Sequence, residues 1–417
     1  MSLHPAGTPV GAPPPRRART DVARRAAVVA LVVLALAAAL LLDLRGSARA
    51  AEALVPPPPA DAGREERLLL VHFVPRDRDP VPAFERRAPV AAAWAADVFR
   101  RNLEDQHAAA RLGFEMQGGV PRVELVQGRD TADTYRGADP SDETAHYQRV
   151  VDEVFAALGP PRGRIYVVFS ATHEPEQRCF DAEGSIAMGT ILAPDAGAVV
   201  IASWVLDEGV CAEDPAGELE LFAATDRVRG CLKKDGAWYE AERGRIAGNA
   251  IGSLAHELGH ALGCFHDFRN PRVDLMGKAG HHFRPDKNSS SDLAALGWIA
   301  PENRLVLRWS RFLAADADRG DAREPTFEPE ATQPLAAGAT SVPLALVIRD
   351  DRALGAVVVY APGSDTLVAG WPAEGTELRL ERDVRVAPLA PGVFEIVVLA
   401  IDRGGNRAGA RLHYHVE

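Results

Sequence analysis

Apolar residues recur with two different spacings in the first two thirds of the chain, and these spacings predict alternating strands and helices. Short apolar runs, each typical of a buried strand, occur at residues 68–74, 164–170 and 198–203, and an alternating run occurs at 122–126. Longer stretches at 90–112 and 143–158 predict helices, the second ending at Gly159-Pro160-Pro161. Strands interleaved with helices predict a mixed layer in which helices cover one face of the sheet.

The last third of the chain has a different pattern. After Pro334, short runs rich in Val, Ile and Leu are separated by Gly, Pro, Asp and Asn turns, which predicts an all-β sandwich over residues 334–417. The turn at 401–406 resembles the D-x-x-G-N turn of bacterial immunoglobulin-like modules, which usually serve as spacers or adhesive units. Residues 301–333 are charged and punctuated by proline, as a linker is, although the run at 305–313 could pack back on the preceding domain.

The N-terminal residues 1–50 predict export from the cytoplasm. A cluster of arginines precedes an apolar run at 26–42, and positive charge ahead of an apolar segment keeps the amino end inside. Two interpretations stay open: cleavage after the small residues of Ala48-Arg49-Ala50, or retention of residues 26–42 as a membrane anchor. The proline-rich residues 51–67 predict a tether that leads into a domain at 68–300.

Charge and cysteine content narrow the function. A formal net charge of −11 argues against the broad basic surface that nucleic-acid binding requires. All four cysteines lie beyond the export segment, where they could form two disulfides in any of three pairings, at positions 179, 211, 231 and 264. A four-thiolate zinc site is disfavoured because no C-x-x-C pair is present.

The strongest chemical signal is the stretch HELGHALGCFH at residues 256–266, which lies at the end of a helix predicted over 246–262. His256 and His260 are four residues apart, so a helix presents both imidazoles on one face to a common metal ion. Gly263 permits the turn that returns the chain and lets His266 supply a third nitrogen. Three imidazoles leave the fourth position of a tetrahedral zinc ion open to water, and Glu257 can hydrogen-bond that water without ligating the metal.

This motif resembles that of the metzincin metallopeptidases, and the resemblance covers residues from about 68 to 298. It implies that His256, His260 and His266 bind one catalytic Zn²⁺ and that Glu257 is the general base. It also implies a Met-turn under the metal, for which the residues Asp274-Leu275-Met276-Gly277 are well placed, with Met276 as the hydrophobic floor. Asp267, directly after the third histidine, resembles the pattern found in adamalysin-type members. No tyrosine follows Met276 closely, as one does in some metzincins, so a fourth protein ligand is not expected.

The predicted protein is therefore of the α+β class: a metzincin-like catalytic domain followed by an immunoglobulin-like sandwich. The resemblance implies a zinc-dependent endopeptidase that cleaves protein or peptide substrates outside the cytoplasm, using a metal-activated water and Glu257. Residues 198–203 are the expected sheet edge for an extended substrate, whose main chain would pair there. Acidic residues between Asp207 and Asp214 would also allow a calcium site. The competing hypothesis is a catalytically inert surface binding protein, in which the sandwich binds a partner and the zinc domain is a scaffold.

Overall fold

The structure is a computed structural model that describes residues 55–417, apart from residues 62, 64, 105–109, 140–141, 234–235, 279, 281–282 and 286–296. The predicted export segment and anchor lie outside the described residues. None of the helices in the described part of the chain combines the length and the apolarity that crossing a bilayer requires.

A five-stranded mixed sheet forms the first part of the fold. The strands up to residue 242 are β1 Arg67–Val74, β2 Met116–Gln117, β3 Val120–Pro121, β4 Val123–Gln127, β5 Arg164–Ser170, β6 Ala187–Ala193, β7 Ala196–Ala202, β8 Arg227–Leu232 and β9 Trp238–Glu242. The sheet has the order β4-β1-β5-β7-β6, in which the first four strands are parallel and β6 runs antiparallel to β7. The apolar runs therefore correctly predict β1, β4, β5 and β7.

Six α-helices accompany these strands. They are α1 Phe84–Leu103, α2 Ala132–Arg136, α3 Glu143–Leu158, α4 Pro215–Ala223, α5 Arg243–Ala261 and α6 Pro301–Arg308. The boundaries predicted for α3 are confirmed, and its first turn is capped by the Asp142 carboxylate, which accepts from the Ala145 N–H at 2.9 Å. The helix predicted over 90–112 is α1, which begins at Phe84 and ends at Leu103. The prediction places the start too late because Pro89 lies inside the helix and not before it.

Helices cover both faces of the mixed sheet, so the prediction of one covered face is wrong. Alternate residues of β1 point to opposite sides: Leu68 and Leu70 join a core with α1 and α5, while Leu69, Val71 and Phe73 join a second core with α3. Burial on both faces explains why β1, β5 and β7 are continuous apolar runs rather than alternating ones.

The free edge of the sheet next to α5 is β6, not the run at 198–203. That run belongs to β7, whose two sides pair with β5 and β6 and leave no edge for a substrate. The sequence of β6, AMGTILA, mixes small, polar and apolar residues that are mostly half-buried, so it lacks the apolar run by which β7 is recognised.

The charged region 204–244 contains α4 and the β8–β9 hairpin. A disulfide between Cys179 and Cys231 ties this hairpin to the segment that follows β5. Cys211 and Cys264 are free thiols buried in the hydrophobic core. The prediction of two disulfides is therefore wrong for the described cysteines, since both of these thiols stay free in the core.

Two antiparallel sheets form the C-terminal part of the fold. Their strands are β10 Thr326–Pro329, β11 Ser341–Arg349, β12 Leu354–Ala361, β13 Thr366–Pro372, β14 Glu377–Arg385, β15 Gly392–Asp402 and β16 Arg407–Val416. The strand orders are β10-β11-β14 and β13-β12-β15-β16, and buried side chains of both sheets share one core. A mixed sheet with helices followed by antiparallel sheets agrees with the predicted α+β class.

The C-terminal sheets pack against α6 and against the chain around His266. Val306 of α6 shares a small apolar cluster with Val358, Leu367 and Ile401 of the four-stranded sheet. The start of β13 also hydrogen-bonds to the chain around the third histidine, because the Leu367 N–H donates to the His266 carbonyl at 2.9 Å. His266 therefore lies directly against the C-terminal sheets.

Candidate metal centre

Helix α5 carries the first two histidines of the motif and is packed closely against the edge strand β6. Its buried face includes Leu254 and Leu258, which belong to the main core. Gly189 of β6 lies against the helix at Glu257, where a Cβ atom would overlap the Glu257 carbonyl oxygen. The absence of a side chain at Gly189 therefore sets the distance between α5 and the sheet edge.

The chain reverses direction after α5, and an arginine of the C-terminal sheet holds the turn. Gly263 has a φ of +92°, which favours glycine, and a Cβ there would also overlap the guanidinium of Arg407. Arg407 donates to the carbonyl oxygens of Leu262 at 2.9 Å and Gly263 at 3.0 Å. The last carbonyls of a helix have no partners within the helix. The Arg407 guanidinium therefore stabilises the end of α5 and the turn that leads to His266.

The three imidazoles converge. His260 Nε2 lies 3.1 Å from His256 Nε2 and 3.1 Å from His266 Nε2. In a tetrahedral zinc site with Zn–N bonds of about 2.0–2.1 Å, neighbouring nitrogens are roughly 3.3 Å apart. The separations in the structure match that spacing.

The other ring nitrogen of each histidine faces an oxygen acceptor. The three pairs are His256 Nδ1 with the Leu275 carbonyl at 2.6 Å, His260 Nδ1 with the Cys264 carbonyl at 3.0 Å, and His266 Nδ1 with Asp365 Oδ2 at 2.6 Å. Each Nδ1 therefore carries the proton, and each Nε2 presents a lone pair to the common centre. Burial also lowers the pKa of His260 to about 4, which keeps that ring neutral. Three lone pairs held this close require a cation, so the donor set fits Zn²⁺.

Asp365 is a part of this centre that the sequence reasoning missed. It lies in the turn between β12 and β13, 99 residues beyond His266, and its φ of +48° places it in the left-handed region. Tyr360 donates a hydrogen bond to its other oxygen, Oδ1. The first tyrosine after Met276 thus acts on the centre through Asp365. No local pattern marks Asp365, because only the packing of the C-terminal sheet brings it to the histidine.

Glu257 lies beside His256 on the wall of a cleft with about 460 Å³ of free space. Phe180, Ala187 of β6 and Lys278 also line this cleft. Burial raises the pKa of Glu257 to about 8, against the opposing effect of a hydrogen bond from the Gly189 backbone. The structure therefore places the predicted base at the cleft, next to a predicted ligand.

Met276 is fully buried, in a turn that follows the third histidine along the chain. Its Sδ packs against Gly259 of α5, where a side chain would overlap it. Asp274 holds the turn, since its carboxylate accepts from the N–H groups of Met276 and Ala300, both at 2.8 Å. The preceding carbonyl, that of Leu275, is the acceptor for His256 Nδ1. The turn thus orients a ligand as well as supporting the site.

The other acidic residues singled out in the sequence have protein partners. Asp267 forms an ion pair with Arg269, which also binds Glu302 of α6. In the acidic stretch that would allow a calcium site, Asp207 pairs with Arg178, and Asp214 caps the first turn of α4. These contacts stabilise the loops that carry them.

We predict that Asp365→Gly weakens zinc binding about 10- to 100-fold, because His266 loses the acceptor that orients its ring. Glycine tolerates the left-handed backbone at this position, so the change removes the carboxylate without adding strain. Asp365→Asn keeps an acceptor oxygen and should lose less. Competition with a fluorescent zinc chelator measures the three affinities, and Ser364→Ala in the same turn is the control. Wild-type affinity in Asp365→Gly would show that Asp365 does not position the ligand.

Comparison with known proteins shows a likeness of fold. No protein-family model and no curated protein matches the sequence. Among solved structures, wild-type OgpA from Akkermansia muciniphila matches with a TM-score of 0.55 and 14% identity, covering 85% of this chain and 97% of OgpA. Catalytically inactive OgpA from the same organism, in complex with an O-glycopeptide substrate, glycodrosocin, matches with a TM-score of 0.53, 14% identity and the same coverage. The resemblance to metzincin metallopeptidases carried by the histidine motif is therefore accompanied by the fold of OgpA and by three imidazoles that fit a zinc site.

Proposed function

We propose that this chain is a zinc-dependent endopeptidase in which His256, His260 and His266 bind the metal and Glu257 is the general base. The observation that carries the proposal is the convergence of three Nε2 lone pairs beside a carboxylate on the wall of an open cleft. Three protein ligands suit a catalytic zinc ion, which needs a position free for water or substrate.

Bound zinc would supply Lewis acidity, which polarises the scissile carbonyl and makes water a stronger acid. Glu257 accepts a proton from the attacking water and delivers it to the amine nitrogen as the C–N bond breaks. Its burial favours this role, since desolvation raises the pKa of the carboxyl and makes the carboxylate a stronger base than that of an exposed glutamate. Met276 and Asp274 keep the turn under the site in place, so that the Leu275 carbonyl continues to orient His256.

The substrate main chain is proposed to bind along β6 rather than β7. One side of β6 pairs with β7 and the other is the open edge of the sheet, so an extended peptide can add to it by main-chain hydrogen bonds. Gly189 of this strand contacts Glu257, and Ala187 lines the cleft. A peptide bound at this edge would therefore bring a carbonyl close to both the base and the metal ligands.

O-glycosylated peptides are the proposed substrate class. OgpA, which shares the fold, binds an O-glycopeptide substrate. In this chain a second cleft with about 990 Å³ of free space adjoins the first, and Phe180 lines both. Its wall carries Arg178, Tyr239 and Asn249, which offer an aromatic face and hydrogen-bonding groups of the kind that sugar hydroxyls need. A side-chain glycan would have room there while the peptide follows β6.

The domain scheme and location are proposed on the same basis. Residues 1–50 direct export, residues 51–67 form a tether, residues 68–300 form the catalytic domain, and residues 301–333 link it to an immunoglobulin-like sandwich at 334–417. The Cys179–Cys231 disulfide supports a position outside the cytoplasm, where such bonds persist.

We predict that Glu257→Gln lowers kcat by about 10²–10⁴-fold while zinc stays bound, because the amide keeps the shape of the side chain but cannot accept a proton. Stopped assays on peptide libraries, together with zinc content by atomic absorption, measure both properties. Glu220→Gln on the exposed surface of α4 is the matched control and should behave as wild type. Normal cleavage by Glu257→Gln would remove the base from the mechanism. A wild-type protein that binds peptides without cleaving them, with or without chelator, would favour the inert binding protein instead.

We also predict that kcat/KM for an O-glycosylated peptide exceeds that for the same peptide without its sugar by at least about tenfold. The glycan adds contacts in the second cleft. A tenfold difference in kcat/KM corresponds to about 1.4 kcal/mol, which one good set of contacts can supply. Paired synthetic peptides of identical sequence test this by mass spectrometry. Equal rates, or faster cleavage of the bare peptide, would contradict the substrate class but not the peptidase.

A further inference from the structure

A second cluster of ligand-type side chains lies far along the sequence from the histidines. Asp321, Asp350 and Asp402 each place one carboxylate oxygen within 4.8 Å of the other two. Asp321 belongs to the segment between α6 and β10, Asp350 follows β11, and Asp402 ends β15. The three carboxylates are 2%, 8% and 0% exposed, so this is an interior cluster and not a solvated acidic patch.

The hydrogen bonds of these carboxylates come from nearby turns and leave one oxygen without a partner. Asp402 accepts from the Asn406 N–H at 2.8 Å and from Asn406 Nδ2 at 2.7 Å. Asp350 Oδ1 accepts from the N–H groups of Arg352 and Ala353, at 2.9 and 2.6 Å. Asp350 Oδ2, however, is buried and has no hydrogen-bond partner among the described residues.

No positive side chain in the described part of the chain forms an ion pair with any of the three carboxylates. The guanidinium of Arg311 is close, but it donates to the Gly404 and Asp321 carbonyl oxygens and to Asn406 Oδ1. Buried carboxylates are ordinarily paired with a cation or coordinate a metal. Here burial, and then repulsion from the other two aspartates, raises the pKa of Asp402 to about 6. No ion pair within the described residues therefore compensates the three carboxylates.

We propose that Asp321, Asp350 and Asp402 bind a divalent cation of the calcium type. The donors are all oxygens, which suit a hard cation, whereas the histidine centre offers only nitrogens. With Ca–O bonds of about 2.3–2.6 Å, two ligand oxygens of one Ca²⁺ lie at most roughly 4.6–5.2 Å apart, and the three carboxylate oxygens meet this condition because they lie within 4.8 Å of one another. The unpartnered Asp350 Oδ2 is the oxygen that the cation would satisfy.

Such a cation would fasten the segment after α6 to two turns of the C-terminal sheets. The same segment is already tied to the start of β1, because Arg319 binds Glu66 at 2.8–3.0 Å. It is also tied to the turn after β11, because Asp318 pairs with Arg352 at 2.7 Å. The cation would therefore hold together the parts of the chain that bring Asp365 and Arg407 to the zinc centre. This inference concerns a separate site and does not depend on the peptidase assignment.

The test is calorimetric titration of Ca²⁺ into the full-length, zinc-loaded protein after exchange into calcium-free buffer. We expect one Ca²⁺ per chain, and a melting temperature that rises by about 2–5 °C at saturating Ca²⁺. Asp350→Asn should weaken Ca²⁺ binding at least tenfold, since it removes the charge on the unpartnered oxygen but keeps the acceptor for the turn. Asp351→Asn is the matched control, because its exposed neighbouring carboxylate pairs with Arg323. His260→Ala should still bind Ca²⁺.

Several results would overturn the proposal. These are the absence of Ca²⁺ uptake by the wild-type protein at millimolar concentration, equal losses in Asp350→Asn and Asp351→Asn, or loss of Ca²⁺ binding in a folded His260→Ala protein. If Asp350→Asn fails to fold, Asp321→Asn replaces it. An increase in stability on Asp402→Asn without Ca²⁺ uptake by the wild type would instead indicate a cluster of carboxyls that share protons.

Discussion

The arrangement on which the rest of this structure depends is the convergence of three imidazole lone pairs, in which His260 Nε2 lies 3.1 Å from each of the other two Nε2 atoms. Without a cation these lone pairs repel one another, so the surrounding protein has to hold the rings in place. It does so through one acceptor for each Nδ1: the backbone carbonyls of Leu275 and Cys264, and the Asp365 carboxylate from the turn between β12 and β13. The centre is therefore built by several segments of the chain and not by the helix alone.

This dependence gives the C-terminal sheets a physical role in holding the three histidines. Asp365 orients His266, and Arg407 stabilises the carbonyls at the end of the helix that carries His256 and His260. A spacer or adhesive module would not need to supply either group. We infer that zinc affinity and the packing of the C-terminal sheets are coupled. A shift of β13 or β16 would move the Asp365 carboxylate or the Arg407 guanidinium away from the centre.

The sequence predicts the parts of the site that depend on local geometry. His256, His260 and Glu257 share one turn of helix, and Gly263 and His266 follow at short range, so spacing alone brings them together. It fails where distant segments meet. The edge position of β6 depends on how strands pair, the two free thiols depend on burial in the core, and Asp365 depends on a contact across 99 residues. The strands β1, β5 and β7 were predictable because burial on both faces leaves continuous apolar runs, whereas β6 has no such run.

The most direct test of the central claim is X-ray absorption spectroscopy at the zinc edge, on the full-length protein loaded with one equivalent of Zn²⁺. The structure predicts three imidazole nitrogens at about 2.0–2.1 Å and one oxygen ligand from solvent. A sulfur ligand at about 2.3 Å, fewer than three imidazoles, or failure to retain one zinc ion per chain would contradict the account.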